Sequence, residues 1–235
     1  SNKFAYEANM VRALAKIIEG GHLDEGIKPV NWCFDCGSAL AEAEIEYQDK
    51  TSPAVDVLFT VSDKPEVLGA FGVASVNGEV GIPIWTTTPW TLPANEAVAL
   101  NADLDYVLVE GQWQGTTLAV VLASDLKDAV VGRIGMEDAK ILGNCKGAAL
   151  EHQVLNHPFY DRQVPVILGD HVTTDAGTGA VHTAPGHGEE DFVVGKQYKL
   201  PVTNPVGANG LYLPDTELFA GKFVWAANSD IIELM

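Results

Sequence analysis

The sequence predicts an α+β fold with a β-barrel-like body, peripheral helices and a short β-ribbon stem. Segments with strand patterns outnumber helical ones, and glycine, proline and asparagine turns separate most of them. Helical spacing of apolar residues recurs only at 7–19, at 124–134 and from about Glu189 to Leu200. Many short strands with few helices are typical of a β-barrel-like α+β domain.

The N-terminal part predicts a helix followed by a ribbon. Residues 7–19 have apolar side chains at near-helical spacing and stop at Gly20-Gly21, a helix-end signal. The Cys33-x-x-Cys36 turn then separates an extended segment from residues 39–47, where apolar residues alternate with glutamates as in a half-exposed strand. We therefore divide the chain into residues 1–45, helix and connecting stem, and residues 46–235, the main domain.

The residue pattern of the main domain predicts a succession of strands. These are Val55–Val61, Ile82–Thr88, Ala97–Leu100, Tyr106–Val109, Thr117–Leu122, Ala148–Leu155, Val164–Leu168 and Gly179–Ala184. A helix over 124–134, capped by Ser124 or Asp125, and a second helix from about Glu189 interrupt them.

Composition and charge restrict the possible partners. The 235 residues contain 32 acidic and 14 basic side chains, for a formal charge of -18. The chain therefore lacks the excess of positive charge that is typical of proteins that bind many phosphates. Only a short end of a nucleic acid fits this balance. No apolar run approaches the roughly 18 residues of a membrane span, and three cysteines make no disulfide framework. We expect a cytoplasmic protein without membrane contact.

The first segment whose side chains could take part in catalysis or binding runs from Trp85 to Asn95. It places four hydroxyls, on Thr86, Thr87, Thr88 and Thr91, within six residues between prolines. Dense hydroxyls can position a water or a polar substrate group. The alternative is a strand edge where threonines follow their β preference and prolines end the pairing.

The second segment, Asp175 to Phe192, leads from a strand of small residues through a Pro-Gly turn into an acidic helix start. His182 and Asp191 would flank this turn, and the glycines leave room for a ligand. The alternatives are helix-start carboxylates favoured by the helix dipole, a buried core histidine, and a zinc site from His182, His187 and Asp191.

Other catalytic signatures find little support. Cys33 and Cys36 have the spacing of half a zinc ribbon, Cys145 has no cysteine near it, and a metal-free turn is the simpler interpretation. The sequence contains neither a nucleophile elbow nor a phosphate-binding loop.

Together, WTTTPWTLPAN and DAGTGAVHTAPGHGEEDF resemble the two signature segments of the editing domain of class I synthetases for isoleucine, valine and leucine. The similarity extends through Val30-Asn31-Trp32-Cys33, residues 169–172 and residues 208–214, and so covers essentially the whole chain. Leucine enzymes usually read TTRPDT and valine enzymes TTRPET where this chain has Thr87-Thr88-Pro89-Trp90-Thr91. Leucine enzymes also tend to have Met, and valine enzymes Lys, at the position of His182, so the isoleucine type is favoured.

The resemblance implies a hydrolytic domain that deacylates valyl-tRNA(Ile), and valyl-adenylate as well. Its partners would be the 3′ end of tRNA(Ile) carrying valine and the remainder of a larger synthetase, with the whole behaving as a monomer. HIGH and KMSKS signatures are absent here, so ATP, Mg and, in some relatives, Zn would belong to the parent enzyme, and we expect no cofactor in this chain. Open alternatives are a non-catalytic module binding amino acids or nucleotides, and a valine-type editing domain.

The resemblance also implies roles for individual residues. Asp191 would anchor the substrate α-ammonium group, and Thr86, Thr87 and Thr88 with Asn95 would shape the ester site and position a water, Thr88 being the first choice. His182 would leave space for valine but not for isoleucine. Trp85 and Trp90 would stack on the terminal adenine, and Thr91, Gly186 and His187 would complete the substrate-binding set.

Overall fold

The computed structural model describes residues 3–23 and 26–235. The helices are α1 Phe4–Glu19, α2 Lys64–Ala70, α3 Lys127–Ile134, α4 Glu189–Gln197 and α5 Ala227–Leu234. The strands are β1 Trp32–Cys33, β2 Ser38–Ala39, β3 Val55–Val61, β4 Glu79–Thr86, β5 Ala97–Leu100, β6 Asp105–Trp113, β7 Thr116–Ala123, β8 Glu137–Lys146, β9 Val154–Asn156, β10 Gln163–Leu168 and β11 Val181–Thr183. Within the described ranges, each helix is too short or too polar to cross a bilayer.

Nine of the strands form one sheet in the order β11-β5-β10-β9-β3-β4-β7-β6-β8. The β4–β7 and β5–β10 pairs are parallel and the other pairs are antiparallel. The sheet curls, so that Gly179, just before β11, comes against Ala123 at the end of β7. It nevertheless stays open, with β11 and β8 as its edges.

The predicted mixed α and β fold is confirmed, but its body is one large open sheet and does not close into the barrel-like form that was predicted. Strand β11 has only three residues, too few to pair along a second full strand. Strand β8 is mostly exposed, carries charged side chains such as Glu137 and Lys140, and is irregular where it pairs with β6. Charged and bulged edges of this kind oppose further pairing.

The main core includes one face of the central strands of the sheet. Alternate residues of the central strands are fully buried there, among them Phe59, Ile82, Ile84, Leu108 and Leu155. Each such side chain contributes roughly 1.5–3 kcal/mol by leaving water. Strand β4 therefore has a fixed position, and its last residues, Trp85 and Thr86, enter the site from a rigid support.

Several local predictions are wrong. Residues 39–47 do not form a long strand: β2 stops at Ala39, and a 3-10 turn at Glu42–Glu44 follows because the Glu44 carboxylate accepts the Ala41 N–H at 2.8 Å. The segment 148–155 begins with a 3-10 turn, Gly147–Leu150, before β9 starts. Helix α3 follows a 3-10 turn and has no side-chain cap from Ser124 or Asp125.

The stem is a two-stranded ribbon, as predicted, with Trp32 opposite Ala39 and Cys33 opposite Ser38. The indole N–H of Trp32 donates to the carbonyl of Ala208 at 2.8 Å, which fastens the ribbon to the C-terminal segment. Helix α1 ends at Glu19, directly before Gly20 as predicted, and has no buried residue. The domain boundary after residue 45 stays a prediction.

Candidate active site

A cavity of about 220 Å³ lies between the end of β4 and the turn that joins β11 to α4. It brings together side chains from both sequence motifs, although these are about ninety residues apart in the chain. The lining residues are Trp85, Thr86, Thr88, Thr91, Val181, His182, Ala184, His187 and Asp191.

The threonine segment presents two of its first three hydroxyls to the cavity. The Thr86 hydroxyl is buried, accepts the backbone N–H of Thr88 at 3.1 Å, and lies 3.3 Å from the Thr88 hydroxyl. These contacts fix Thr88 at the cavity edge, where its hydroxyl can hold a water. Thr87 is exposed and lies outside the lining, because neighbouring residues of an extended chain point to opposite sides.

His182 is buried in the cavity wall with both ring nitrogens hydrogen-bonded. The Asn95 side-chain NH₂ donates to Nδ1 at 2.8 Å and also to the carbonyl of Ala97. Since Nδ1 accepts, Nε2 must carry the proton and donate to the Thr91 hydroxyl at 2.8 Å, which in turn donates to the carbonyl of Thr88. Burial lowers the pKa of His182 to about 3, so the ring is a neutral, immobile side wall.

Asp191 lines the same cavity as His182 and lies in the first turn of α4. Its Oδ2 accepts the backbone N–H of Ala184 at 3.0 Å, an interaction across the turn between β11 and α4. A side chain at position 188 would place its Cβ 2.8 Å from this oxygen, so Gly188 is needed for the carboxylate to fold back. Burial raises the pKa of Asp191 despite the Ala184 hydrogen bond, and an ammonium ion in the cavity would offset that cost.

The remaining predicted residues occupy three different places. Trp85 lines the cavity, whereas Trp90 and Gly186 line an adjoining cleft and His187 lines both. The Trp90 and His187 rings meet edge to face, with centroids 5.3 Å apart. Asn95 is fully buried behind His182; it therefore orients the histidine and does not line the cavity.

Two lining residues, Val181 and Ala184, were not predicted. Both flank His182 and Thr183 on or just after β11. The small side chain of Ala184 and the neighbouring Pro185 leave the Ala184 N–H free to meet Asp191. The Pro-Gly turn was predicted, but nothing in the sequence indicated that the backbone of Ala184, just before it, would bind the carboxylate.

The geometry does not favour zinc in either place considered. His182 commits both ring nitrogens to Thr91 and Asn95, and in the described part of the chain no three His, Cys, Asp or Glu side chains converge on one point. Cys33 and Cys36 supply two of the four ligands that a structural zinc requires. The residues present therefore do not complete a zinc site.

Acid should destabilise this protein before its exposed carboxylates titrate. Burial lowers the pKa of His157 and of His187 to about 4, as it lowers that of His182 to about 3. Below a pH of about 6.5 the unfolded chain binds protons at these histidines, whereas the folded chain does not until about pH 4. The free energy of unfolding is therefore not reduced by these histidines above pH of about 6.5, and it falls as the pH is lowered towards 4. The raised pKa of Asp191 acts in the opposite direction and offsets part of the loss.

Urea unfolding at pH 7.0, 6.0 and 5.0 measures this effect. Each histidine contributes a slope of up to about 1.4 kcal/mol per pH unit in the free energy of unfolding. His157→Gln keeps a donor for the Leu92 carbonyl, which the ring contacts at 3.1 Å, and should reduce the slope. Equal stability at pH 7.0 and 5.0 would contradict the neutral, buried state of these rings.

Comparisons with known proteins show which family this chain belongs to. The family model for "tRNA synthetases class I (I, L, M and V)" matches residues 2–218. Isoleucine–tRNA ligases of Shewanella pealeana and Shewanella amazonensis are 59% and 60% identical over 232 residues, 99% of this chain. The chain spans about a quarter of the length of these relatives, 25% in both cases.

Solved structures share the fold at low sequence identity. GlLeuRS-CP1 superposes with a TM-score of 0.59 at 14% identity, covering 77% of this chain and 94% of that one. The Plasmodium falciparum cytosolic leucyl-tRNA synthetase editing domain with deletions of insertions 1 and 3 gives 0.56 at 10% identity, covering 77% and 95%. From its sequence match, and with a fold in agreement, this chain belongs to the class I tRNA synthetase family of the isoleucine, leucine, methionine and valine enzymes.

Proposed function

We propose that this chain is a hydrolytic editing domain that removes valine from tRNA(Ile), and from valyl-adenylate. The observation that carries the proposal is one small cavity with an anionic group, Asp191, a neutral immobile wall, His182, and a hydroxyl, Thr88. The names of the isoleucine–tRNA ligase relatives, aligned over 99% of the chain, support the amino-acid assignment.

The chemistry is hydrolysis of an activated ester. The substrate ammonium group binds Asp191, which places the ester carbonyl between this carboxylate and the Thr88 edge of the cavity. A water held by the Thr88 hydroxyl attacks the carbonyl carbon; the carbon–oxygen bond to the ribose breaks, the ribose oxygen takes a proton from the water, and free valine leaves. Positioning alone can lower the barrier substantially, and His182, neutral and hydrogen-bonded at both nitrogens, takes no part in proton transfer.

Selection against isoleucine is steric in this proposal. One methylene in a hydrophobic pocket is worth only roughly 1–3 kcal/mol, and isoleucine against valine is the standard illustration of that limit. A synthetic site therefore admits some valine, and a second, smaller cavity has to remove it. Asn95 and Thr91 hold the His182 ring at 2.8 Å on both sides, so the wall cannot move aside for the larger side chain.

The larger enzyme supplies what this chain lacks. We propose that ATP and magnesium act at a separate synthetic site in the remainder of such an enzyme, and that the remainder also holds the body of the tRNA. Helix α1 exposes an apolar stripe that includes Met10, Leu14 and Ile17. Such a stripe suits packing against other parts of the same enzyme.

Deacylation of valyl-tRNA(Ile) by this chain, measured beside isoleucyl-tRNA(Ile), tests the proposal. We expect release of valine well above the spontaneous rate and little release of isoleucine. A chain that binds a valyl-adenosine analogue but releases no valine would instead be a non-catalytic binding module. Preferential release of threonine from tRNA(Val) would indicate a valine-type editing domain.

Thr88→Val should slow valine release by about tenfold or more at saturating substrate, since the change keeps the shape and deletes one hydrogen bond to the attacking water. The KM should change little, because Asp191 and the wall are intact. Thr87→Val, with the same change at an exposed neighbour outside the lining, should cost much less. Equal losses in the two variants would contradict the role of Thr88.

A further inference from the structure

The segment His157–Arg162, between β9 and β10, packs against the end of the threonine segment. None of its residues lines the active-site cavity. It contacts a 3-10 turn, Pro89–Ala94, which carries Thr91 and leads into Asn95. Carbonyls at the end of such a turn lack partners within it and need donors from elsewhere. The segment supplies these donors.

Three carbonyls at the end of the turn accept hydrogen bonds from this segment. Because a carbonyl can only accept, His157 Nε2 carries a proton and donates to the Leu92 carbonyl at 3.1 Å. The Nη2 group of Arg162 donates to the Pro93 carbonyl at 3.2 Å and to the Asn95 carbonyl at 2.6 Å. Hydrogen bonds from a charged donor are stronger than those from a neutral one, so Arg162 makes the firmer contact.

The Arg162 guanidinium is itself held in one orientation. It lies over the Tyr160 ring, 5.4 Å from the centroid, and that ring stacks on His157 with centroids 5.0 Å apart. Its Nη1 is 3.7 Å from the Glu96 carboxylate, which accepts the Thr203 hydroxyl at 2.5 Å. The two charged side chains are only 31% and 13% exposed, and solvent ions screen such a pair less than a surface pair. Arg162 is therefore a fixed donor.

These bonds set the position of Asn95, the residue that orients His182. The Asn95 NH₂ group donates to the Ala97 carbonyl and to His182 Nδ1, both at 2.8 Å. Its Oδ1 is buried and has no hydrogen-bond partner among the residues that the structure describes. The carboxamide is thus held by its NH₂ group alone, so its aim depends on the Asn95 backbone. The 2.6 Å bond from Arg162 is shorter than the 3.0 Å bond of the Asn95 N–H to Leu92.

The charge of Arg162 acts on His182 in the same sense as its position. Burial is the main cause of the low pKa of His182, about 3, and His187, His157 and Arg162 lower this pKa further. A neutral imidazole carries its proton on one nitrogen, and only the Nε2–H tautomer lets Nδ1 accept from Asn95. A nearby fixed cation opposes the doubly protonated ring, in which Nδ1 cannot accept.

We propose that Arg162 is a positioning residue for the His182 wall: it holds Asn95 so that the ring keeps one tautomer and one position. Without the guanidinium, the Asn95 carboxamide can shift and the His182 ring can turn, which widens the cavity for a larger side chain. The effect on amino-acid selection rests on the proposed function. The effect on the tautomer rests on the hydrogen bonds alone.

The tautomer of His182 tests the inference without any substrate. Two-bond nitrogen–proton correlations in NMR spectra of nitrogen-labelled protein distinguish Nε2–H from Nδ1–H, and the spectrum of His182→Ala assigns the signals. We expect Nε2–H alone in the parent chain. Arg162→Met keeps the length of the side chain over Tyr160 and should give a mixture of both tautomers. Arg162→Lys should stay closer to the parent chain, because an ammonium group can reach one carbonyl.

Single-turnover release of isoleucine and valine from tRNA(Ile) measures the consequence for selection. The ratio of isoleucine to valine release should rise about fivefold in Arg162→Met and about twofold in Arg162→Lys, less than in His182→Ala. The matched control is Lys64→Gln, which also removes a cation bonded to a carbonyl and a carboxylate, those of Gly78 and Glu79 at 3.1 and 3.0 Å. It lies at the start of β4, whose other end enters the cavity, and should change neither ratio nor tautomer. Urea unfolding checks that each variant is folded.

Three results would overturn the inference. The first is a single Nε2–H tautomer with a parent-like ratio in folded Arg162→Met. If that variant does not fold, the second is a parent-like ratio in Arg162→Lys, where a twofold rise would support the inference. The third is an equal rise in Lys64→Gln, which would show that loss of stability, not the position of Asn95, widens the cavity. A parent chain that releases no valine would contradict the proposed function instead, and the tautomer would still decide the role of Arg162.

Discussion

Replacing Asp191 by asparagine should lower the rate of valine release from valyl-tRNA(Ile) by about a hundredfold. The change keeps the shape of the side chain and an oxygen that can accept the Ala184 N–H, which lies 3.0 Å from the carboxylate. It removes the negative charge that binds the substrate ammonium group. Charge-assisted hydrogen bonds are worth roughly 1.5–3 kcal/mol, and about 1.4 kcal/mol corresponds to each tenfold in rate. Single-turnover deacylation measures the loss directly.

The neighbouring Glu190 provides the matched control. It is exposed and lies one residue earlier in the same helical turn, so Glu190→Gln removes an equal charge from the same helix N-terminus without touching the cavity. We expect its rate to stay within about twofold of the parent chain, as for an ordinary exposed charge. Similar losses in the two variants would mean that the general negative field, not an ion pair with the substrate, supports the reaction.

His182→Ala should allow the chain to release isoleucine from isoleucyl-tRNA(Ile), with a rise of about tenfold or more. The change removes the imidazole ring that narrows the cavity, and the space gained exceeds the extra methylene of isoleucine. Release of valine should fall less than in Asp191→Asn, because the ammonium contact remains. His152→Ala, at an exposed histidine outside the lining, controls for loss of a histidine as such.

A milder change tests whether rigidity of the wall matters. Thr91→Val deletes the hydroxyl that accepts from His182 Nε2 at 2.8 Å and leaves the ring in place with one partner lost. We expect isoleucine release intermediate between the parent chain and His182→Ala. A parent-like ratio of valine to isoleucine release in both variants would contradict a steric role for His182.

The local parts of the fold were predictable because they depend on short-range patterns. Val55–Val61 and Ala97–Leu100 have the predicted bounds, since continuous apolar or alternating runs have few other arrangements. Strand β8 was missed because four of its ten residues are charged and most are exposed, a pattern that resembles a loop. Its pairing with β6, which no local pattern in β8 encodes, makes it a strand.

Most residues of the candidate site were predictable from the sequence, but their arrangement in space was not. Resemblance singled out both motifs, and the curl of the sheet, a long-range property, brings them together. Thr87, which the resemblance grouped with Thr86 and Thr88, lies outside the cavity lining because side chains along an extended chain alternate in direction. Nothing in the sequence indicated that Asn95 is buried behind His182, because that position depends on the packing of β5 against β11.

The central claim is that the carboxylate at position 191 captures the amine of the substrate. Calorimetry with 3′-valylamino-3′-deoxyadenosine and with its analogue bearing hydroxyl in place of the α-amine, on the parent chain and on Asp191→Asn, measures that interaction alone. We predict that the parent chain prefers the amine by about tenfold or more and that the asparagine variant shows no preference. An equal preference for the amine in both proteins would contradict the account.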